Sequence, residues 1–505
     1  MQWIKVHKYT LLVLFLLSVL YFFLRLIAIL SLPIFTDEAI YVRWAQIASN
    51  DANWRFISLT DGKQPMFVWL AMIFIKFVKD PLLAGRLVSV FAGFGTLIGL
   101  FFLAKTLFKN IWIGLLTSFL YLLYPMSLVY DRMALYDGLV GFFIVWGLFL
   151  EVLLVKKIRL DLALILGLVI GGGVLTKTNA FLNIYLLPTT LLLFNFRQNK
   201  PWSRLFRWCI YVGIAVVLSY MYYSILRLSP YYHVINEKNA TFYYPLKEWL
   251  QNPLINFWEN TKALVYWFTT YLTIPMIAFI IGSFFVKKDF FKEKVLLVLW
   301  FLVPFVTLFF IGKVIYPRFI FFMTLSLLPL AAFTLYQVSM LFKNKIVFLF
   351  IGVVATALFF QADYFILTDF ANSPIPASDL EQYSNNWPAG GGVKESVAFF
   401  KEQAKKGKIY IGTEGTFGLM PASLELYLKD DPNIQIVGYW PINDQPPKEV
   451  IEMSLKIPTY FVFYQPCPSC KQSGERPSLW PAKEVLRFKK AKPSASYVVY
   501  QIFPK

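Results

Sequence analysis

The sequence predicts a polytopic α-helical membrane protein with a small C-terminal α/β domain, and three observations carry that prediction. Of 505 residues, 58% are hydrophobic and 19% aromatic, with only 15% charged, whereas a soluble domain is roughly half apolar and a quarter charged. Long uncharged runs recur through residue 366, each near the ~20 residues needed to cross hydrocarbon as a helix. From about residue 367 those runs stop, and Pro- and Gly-rich punctuation leads into shorter helix and strand patterns.

The net charge is +19. A basic balance of this size raises nucleic acid as a partner, but the cations sit in short loops between apolar runs instead of on one soluble face. That is the topology signal of membrane proteins, so the expected partner is the lipid bilayer and not nucleic acid. With Lys5 and Lys8 on the cytoplasmic side, a first span over about 9–30 delivers Asp37 and Glu38 to the outer face. That span is too long, and too closely followed by others, for a cleaved signal peptide. The run 66–75 is short and ends in Lys76 and Lys79, which reads as a partly buried or re-entrant helix.

If that run does not cross, the later basic clusters (Lys105 and Lys109; Lys156, Lys157 and Arg159; Arg197 to Arg207; Lys287 to Lys294; Lys343 and Lys345) all fall inside. Had it crossed, every one would land on the wrong side. The expectation is about eleven transmembrane helices in a plasma or inner membrane. The membrane domain covers 1–366, with a first outer loop at 31–65, and an extracytoplasmic α/β domain covers 367–505.

In the C-terminal domain, Ser373-Pro374-Ile375-Pro376 and Gly390-Gly391-Gly392 mark a linker. Helical patterns over Val393 to Lys405 and Phe417 to Leu428 alternate with strand patterns at Ile409, Ile434, Tyr460 and Tyr497, predicting a largely parallel sheet. The turn Thr413 to Gly418 has neither the dinucleotide nor the phosphate-loop glycine spacing. Cys467 and Cys470 form a Cys-Pro-Ser-Cys, and His7 and His233 are the only histidines, so a zinc site lacks ligands. A local disulfide and a reduced pair both stay open there. Cys209 lies in a membrane segment.

The outward ends gather ionisable groups, which are costly to dehydrate and so are functional candidates by default. Asp37 and Glu38 open the first loop, with Arg43 further on; Asp61 and Lys63 close it. Asp131, Arg132 and Asp137 follow the span at 111–130, Lys177 and Asn179 follow Gly171, and Lys313, Tyr316 and Arg318 stand at a later edge. Carboxylates and cations on one face suit a reaction between a phosphate-bearing lipid and a hydroxyl. A carboxylate takes the hydroxyl proton, while Lys and Arg hold the phosphate and neutralise charge growing on it.

The ordered blocks Thr36-Asp37-Glu38-Ala39-Ile40-Tyr41, Asp61-Gly62-Lys63-Gln64-Pro65, Arg86-Leu87-Val88-Ser89, Tyr124-Pro125 with Arg132 and Asp137, Leu175-Thr176-Lys177 and Tyr316-Pro317-Arg318-Phe319 resemble the GT-C glycosyltransferase superfamily. The resemblance is to its protein O-mannosyltransferase and aminoarabinose lipid A transferase group, over most of residues 1–340. It implies a transferase moving a sugar, hexosyl or pentosyl, from a polyprenyl-phosphate donor to an outer-face acceptor: cell-envelope glycan, lipid or protein. It implies Asp37 as catalytic base or metal partner, with Glu38 beside it. Lys63, Arg132 and Arg318 are the implied donor-phosphate residues, and Asp61 and Asp137 orient or serve the acceptor. The family's Lys-Pro-Pro is here Lys63-Gln64-Pro65. No cofactor is certain; a divalent cation (Mg or Mn) stays open, with Asp37 and Asp137 as candidate ligands. One carboxylate activating one hydroxyl opposite the phosphate implies inversion.

Plainer roles stand beside these. Thr36-Asp37-Glu38 is a good helix start, Lys63 suits a snorkelling anchor, and Arg132 with Asp137 suits a structural ion pair. Lys177 suits a span end, and Tyr231, Tyr232, Tyr243 and Tyr244 an aromatic belt. A transporter or flippase of lipid-linked sugars is the alternative function. It would want charges at mid-membrane and repeated halves.

Overall fold

The computed structural model describes residues 2–341, 345–465, 480–491 and 495–504. Cys467 and Cys470 lie outside the described residues. Seven helices are long and apolar enough to cross a bilayer, or eight if the bent pair Phe257–Leu272 and Ile274–Val286, which turns by 91°, forms one span. The expected eleven crossings need the shorter apolar helices Ile111–Leu123, Leu160–Val174 and Thr178–Leu193 to cross as well. The protein is an integral, multi-pass membrane protein.

The membrane part begins with α1 (Gln2–Leu26), then α2 (Thr36–Asn50) along the first loop, α3 (Met66–Ile75) and α4 (Pro81–Phe108). α5 (Ile111–Leu123), α6 (Pro125–Tyr130), α7 (Tyr136–Lys157) and α8 (Leu160–Val174) follow. α3 has ten residues, about 15 Å at 1.5 Å per residue, half of what hydrocarbon requires. The geometry therefore agrees with the charge pattern that kept this segment from crossing. One buried cluster of polar groups inside the bundle is mutually partnered, as burial away from water favours. Asp131 accepts from the Tyr121 hydroxyl at 2.9 Å, has Tyr21 Oη at 3.0 Å and lies 3.5 Å from Arg25 Nε. Arg25 also donates to Leu122 O and Ser127 Oγ, each at 2.8 Å. This cluster ties α1 to α5, α6 and the turn that carries Arg132.

The last long apolar helix ends at Thr368, and the chain then enters a five-stranded sheet of order β2-β1-β3-β5-β4. β1 (Ile409–Glu414) lies parallel to β2 (Ile434–Tyr439) and β3 (Thr459–Gln465). β4 (Ala482–Lys489) and β5 (Ser496–Ile502) are antiparallel to each other, and β5 to β3. The sheet is thus mixed, where a largely parallel one was expected. β4 was missed because its charged sequence, Ala482-Lys483-Glu484-Val485-Leu486-Arg487-Phe488-Lys489, is that of a partly exposed edge strand, the kind that carries charge to avoid further pairing. The helices Val393–Ala404 and Leu419–Leu428 are where the apolar spacing put them.

Gly93 of α4 packs directly on the polar cluster, and an added Cβ would press on Asp131 Cγ and Tyr21 Oη. Gly93→Ala is expected to destabilise the protein by about 1–3 kcal/mol through overpacking, lowering the thermal midpoint in detergent. Gly213→Ala, where nothing lies within 4 Å, is the control and leaves the midpoint unmoved.

Candidate active site

The N-terminal turn of α2 puts Asp37 and Glu38 next to each other in sequence and in different surroundings. Successive helical residues are about 100° apart around the axis, so one faces a cleft and the other faces the core. Asp37 Oδ2 lies 2.9 Å from Arg318 Nη1, with the Asp37 side chain 21% exposed and that of Arg318 9%. Arg318 sits in a single 3-10 turn, Pro317–Ile320, preceded by extended Tyr316. Its guanidinium is stacked near the rings of Phe35 and Tyr316, at 5.6 and 5.1 Å, which favours a planar cation.

Arg318 is also part of the lining of an open cleft. Lys63, Asp137, Lys177, Lys238 and Arg318 supply its charge, and Tyr41, Tyr136, Asn179 and Tyr243 line it. Lys177 pairs with Asp137 at 2.8 Å, and Lys238 with Asp61 at 2.6 Å. Lys63 has no ion-pair partner among the described residues; its ammonium lies 5.4 Å from the Phe242 ring centre. Burial, then the neighbouring Lys177 and Arg318 cations, push the Lys63 ammonium down to about 8, against the pull of Asp37 and Asp61. Burial raises the Asp37 carboxyl, yet Arg318 and Lys63 outweigh it and hold it below the ordinary carboxylate range. The cleft is therefore an anion site with one cation still unpaired.

The structure thus brings together Asp37, Lys63, Arg318, Asp61 and Asp137. Two expected residues lie elsewhere. Glu38 is fully buried, and both its oxygens are spoken for: Oε1 accepts from Arg86 Nε (2.9 Å) and Ala134 N (2.6 Å), Oε2 from Arg86 Nη2 (2.8 Å) and Phe35 N (3.0 Å). It caps its own helix and locks α4, so its expected catalytic role is corrected to a structural one. Arg132 is also buried, and donates to Ile27 O at 2.9 Å and Ala28 O at 3.0 Å. It caps carbonyls of the turn that follows α1, and it is not among the residues lining the cleft. Its place among the phosphate-holding cations is corrected.

Three contributors were undervalued in the sequence. Lys177, expected at a span end, faces the cleft; Tyr243, read as aromatic belt, donates to Asn179 Oδ1 at 3.2 Å inside it. Lys238 carried no signal beyond being a loop lysine. As metal ligands, Asp37 and Asp137 each already hold a cation, and no group of three or more His, Cys, Asp or Glu side chains fits a metal among the described residues. This donor set suits an anion and does not fit a divalent ion.

Comparison with known proteins follows the same lines. Structures of ArnT from Cupriavidus metallidurans cover 98% of this chain and 98% of their own. The form bound to undecaprenyl phosphate superposes with a TM-score of 0.60 at 14% identity, the apo form with 0.57 at 13%. The fold is that of the GT-C glycosyltransferases. The archaeal oligosaccharyltransferase AglB from Archaeoglobus fulgidus, in complex with an inhibitory peptide and a dolichol-phosphate, shares it more distantly. It covers 91% of this chain and 70% of its own, with a TM-score of 0.51 at 12% identity. The family profile of dolichyl-phosphate-mannose-protein mannosyltransferases matches residues 62–223, a stretch that includes Lys63, Asp137 and Lys177 of the cleft. No curated protein sequence matches the chain.

Removing one partner of a buried ion pair costs about 3–5 kcal/mol because the other charge stays buried. Glu38→Ala should therefore sharply lower the thermal midpoint. An Arg86→Met, Glu38→Leu double variant should recover part of the loss, and equal midpoints for Glu38→Ala and wild type would show that the pair holds nothing.

Proposed function

We propose that the protein is a membrane glycosyltransferase that moves a sugar from a polyprenyl-phosphate carrier to an acceptor hydroxyl on the outer face. The observation that carries this reading is the pairing of Asp37 with Arg318 at the rim of a cleft whose half-buried Lys63 has no ion-pair partner among the described residues. A lipid phosphate supplies that missing charge. An apolar groove of about 490 Å³, sharing Asn179 and Tyr243 with the cleft and running past Pro304, Leu308, Phe322 and Met323, suits the carrier's isoprenoid chain. The undecaprenyl phosphate on ArnT and the dolichol-phosphate on AglB support the same donor class.

In this reading the acceptor oxygen bonds to the anomeric carbon while the bond from that carbon to the phosphate oxygen breaks. The hydroxyl proton passes to Asp37. The electron pair stays on the departing phosphate, where Lys63 and Arg318 neutralise it. Arg318 serves both partners. Once a phosphate draws on its charge, less of its field falls on Asp37, whose carboxylate becomes a better base at the moment one is needed. Attack opposite the phosphate inverts the anomeric centre. Lys177 orients Asp137 toward the sugar or acceptor, and Asp61 restrains Lys238 at the cleft mouth. The first loop, 31–65, is the catalytic loop of the membrane domain, and the C-terminal domain stands on the extracytoplasmic side with it.

Asp37→Asn should cut sugar transfer from the polyprenyl-linked pool of isolated membranes by about 10²–10⁴, the usual span for a lost general base. Affinity for undecaprenyl phosphate should hold or rise, since Arg318 loses a competitor. Full transfer by this variant removes Asp37 from the chemistry. The Lys63 ammonium, at about 8, holds phosphate only while protonated, so undecaprenyl phosphate should bind best between about pH 6, where a phosphate monoester takes its second charge, and about pH 8, and progressively more weakly above that. Lys63→Arg, charged throughout that range, should flatten the profile; an unchanged decline would place the titration elsewhere.

A further inference from the structure

The segment 386–390, which leads into the C-terminal domain, runs alongside Ile34–Thr36 as a short antiparallel pairing. Gly390 N donates to Ile34 O at 2.7 Å, and Phe35 bridges to Ala389. The Thr36 amide and hydroxyl both donate to Pro388 O, each at 3.0 Å. Thr36 opens α2 and precedes Asp37, so this carbonyl takes up one of the amides that the helix itself cannot satisfy. There is little room for the pairing to slip: a Cβ on Gly390 would lie 2.6 Å from Ile34 O.

The same segment is gripped from its other side. Lys490, just past β4 and 8% exposed, donates to Ala389 O at 2.7 Å and Asn386 O at 2.8 Å, with Trp387 O at 3.4 Å. An ammonium taken out of water and spent on successive carbonyls fixes one loop conformation, because hydrogen bonds from a charged group are stronger than neutral ones. Further along α2, Arg43 pairs with Glu425 at 3.0 Å and Gln46 Nε2 donates to Leu426 O at 3.0 Å. The start and the middle of α2 therefore rest on the C-terminal domain.

We propose that Lys490 and the 386–390 segment form a positioning clamp that holds Asp37 opposite Arg318, making the C-terminal domain a structural part of the transfer centre. The inference rests on the reading of Asp37 as proton acceptor. Lys490 touches neither the cleft nor Arg318; it acts through the loop, then through Thr36.

The test uses the full chain in phosphatidylglycerol nanodiscs, with Lys490→Met, Lys490→Arg, Thr36→Val and, separately, Asp37→Asn. Three quantities are measured: amide hydrogen exchange over 34–40, sugar transfer from the polyprenyl-linked pool of host membranes, and undecaprenyl phosphate affinity. Lys490→Met should speed exchange over 34–40 by about tenfold or more, the value of a lost charged hydrogen bond. Transfer should fall by about ten- to a hundredfold, as small misplacements of reacting groups do, while undecaprenyl phosphate affinity stays within about twofold on the same argument. Lys490→Arg should restore most of the transfer. Should Lys490→Met fail to fold, Thr36→Val, which deletes only the hydroxyl contact, must slow transfer in the same direction. The clamp is overturned if exchange and transfer are unchanged in Lys490→Met while Asp37→Asn abolishes transfer. It is equally overturned if lipid-phosphate affinity drops as far as transfer, or if Thr36→Val transfers at the wild-type rate. Full transfer by Asp37→Asn would instead remove the parent reading, leaving the exchange data to judge the clamp alone.

Discussion

The ion pair between Asp37 and Arg318 is the contact on which the rest of the molecule converges. It joins the first loop to the edge of a later span, 2.9 Å apart, and neither residue is placed by local structure alone. α2 is aimed by Glu38 and Arg86 from within the membrane domain and by Pro388 from the C-terminal domain. Arg318 is held between the Phe35 and Tyr316 rings. A partly exposed ion pair by itself stabilises little. Its value here is chemical, since it keeps a carboxylate ionised beside a cation that can be lent to another anion.

Charge in the cleft is arranged as a set of restrained pairs with one vacancy. Lys177 answers Asp137 and Lys238 answers Asp61, so these cations have fixed positions before any ligand arrives. Lys63 is left without an ion-pair partner among the described residues, and burial disfavours its charged form. A site so prepared gains more from binding an anion than an array of solvated lysines would, because the desolvation has already been imposed by the fold. In the proposed function, the adjoining apolar groove serves the hydrocarbon chain of the donor.

Adjacent carboxylates with opposite fates show how much rotation about a helix axis decides. In the sequence Asp37 and Glu38 are two acids at a helix start, and both fit catalysis or capping equally well. The longer side chain folds back to Phe35 N and meets Arg86 in the core, while the shorter one reaches the cleft. Arg132 makes a similar point. It follows a span end in the right order, yet the carbonyls just past the end of α1 claim its guanidinium.

The one-dimensional pattern was enough for the membrane character, the shortness of α3 and four of the five strands, because each depends on the length of an apolar run or the spacing of punctuation. It also singled out Asp37, Lys63 and Arg318, since ionisable residues beside long apolar runs are rare enough to stand out. Which of the acids and bases share a cleft was beyond it. Lys177 and Lys238 join the site, and Glu38 and Arg132 leave it, through contacts between segments far apart in the chain, and side-chain direction at such contacts leaves no trace in local composition. The seating of Thr36 on Pro388 is of the same kind: a backbone hydrogen bond has no residue signature, so only the folded chain could bring the C-terminal domain to the first loop.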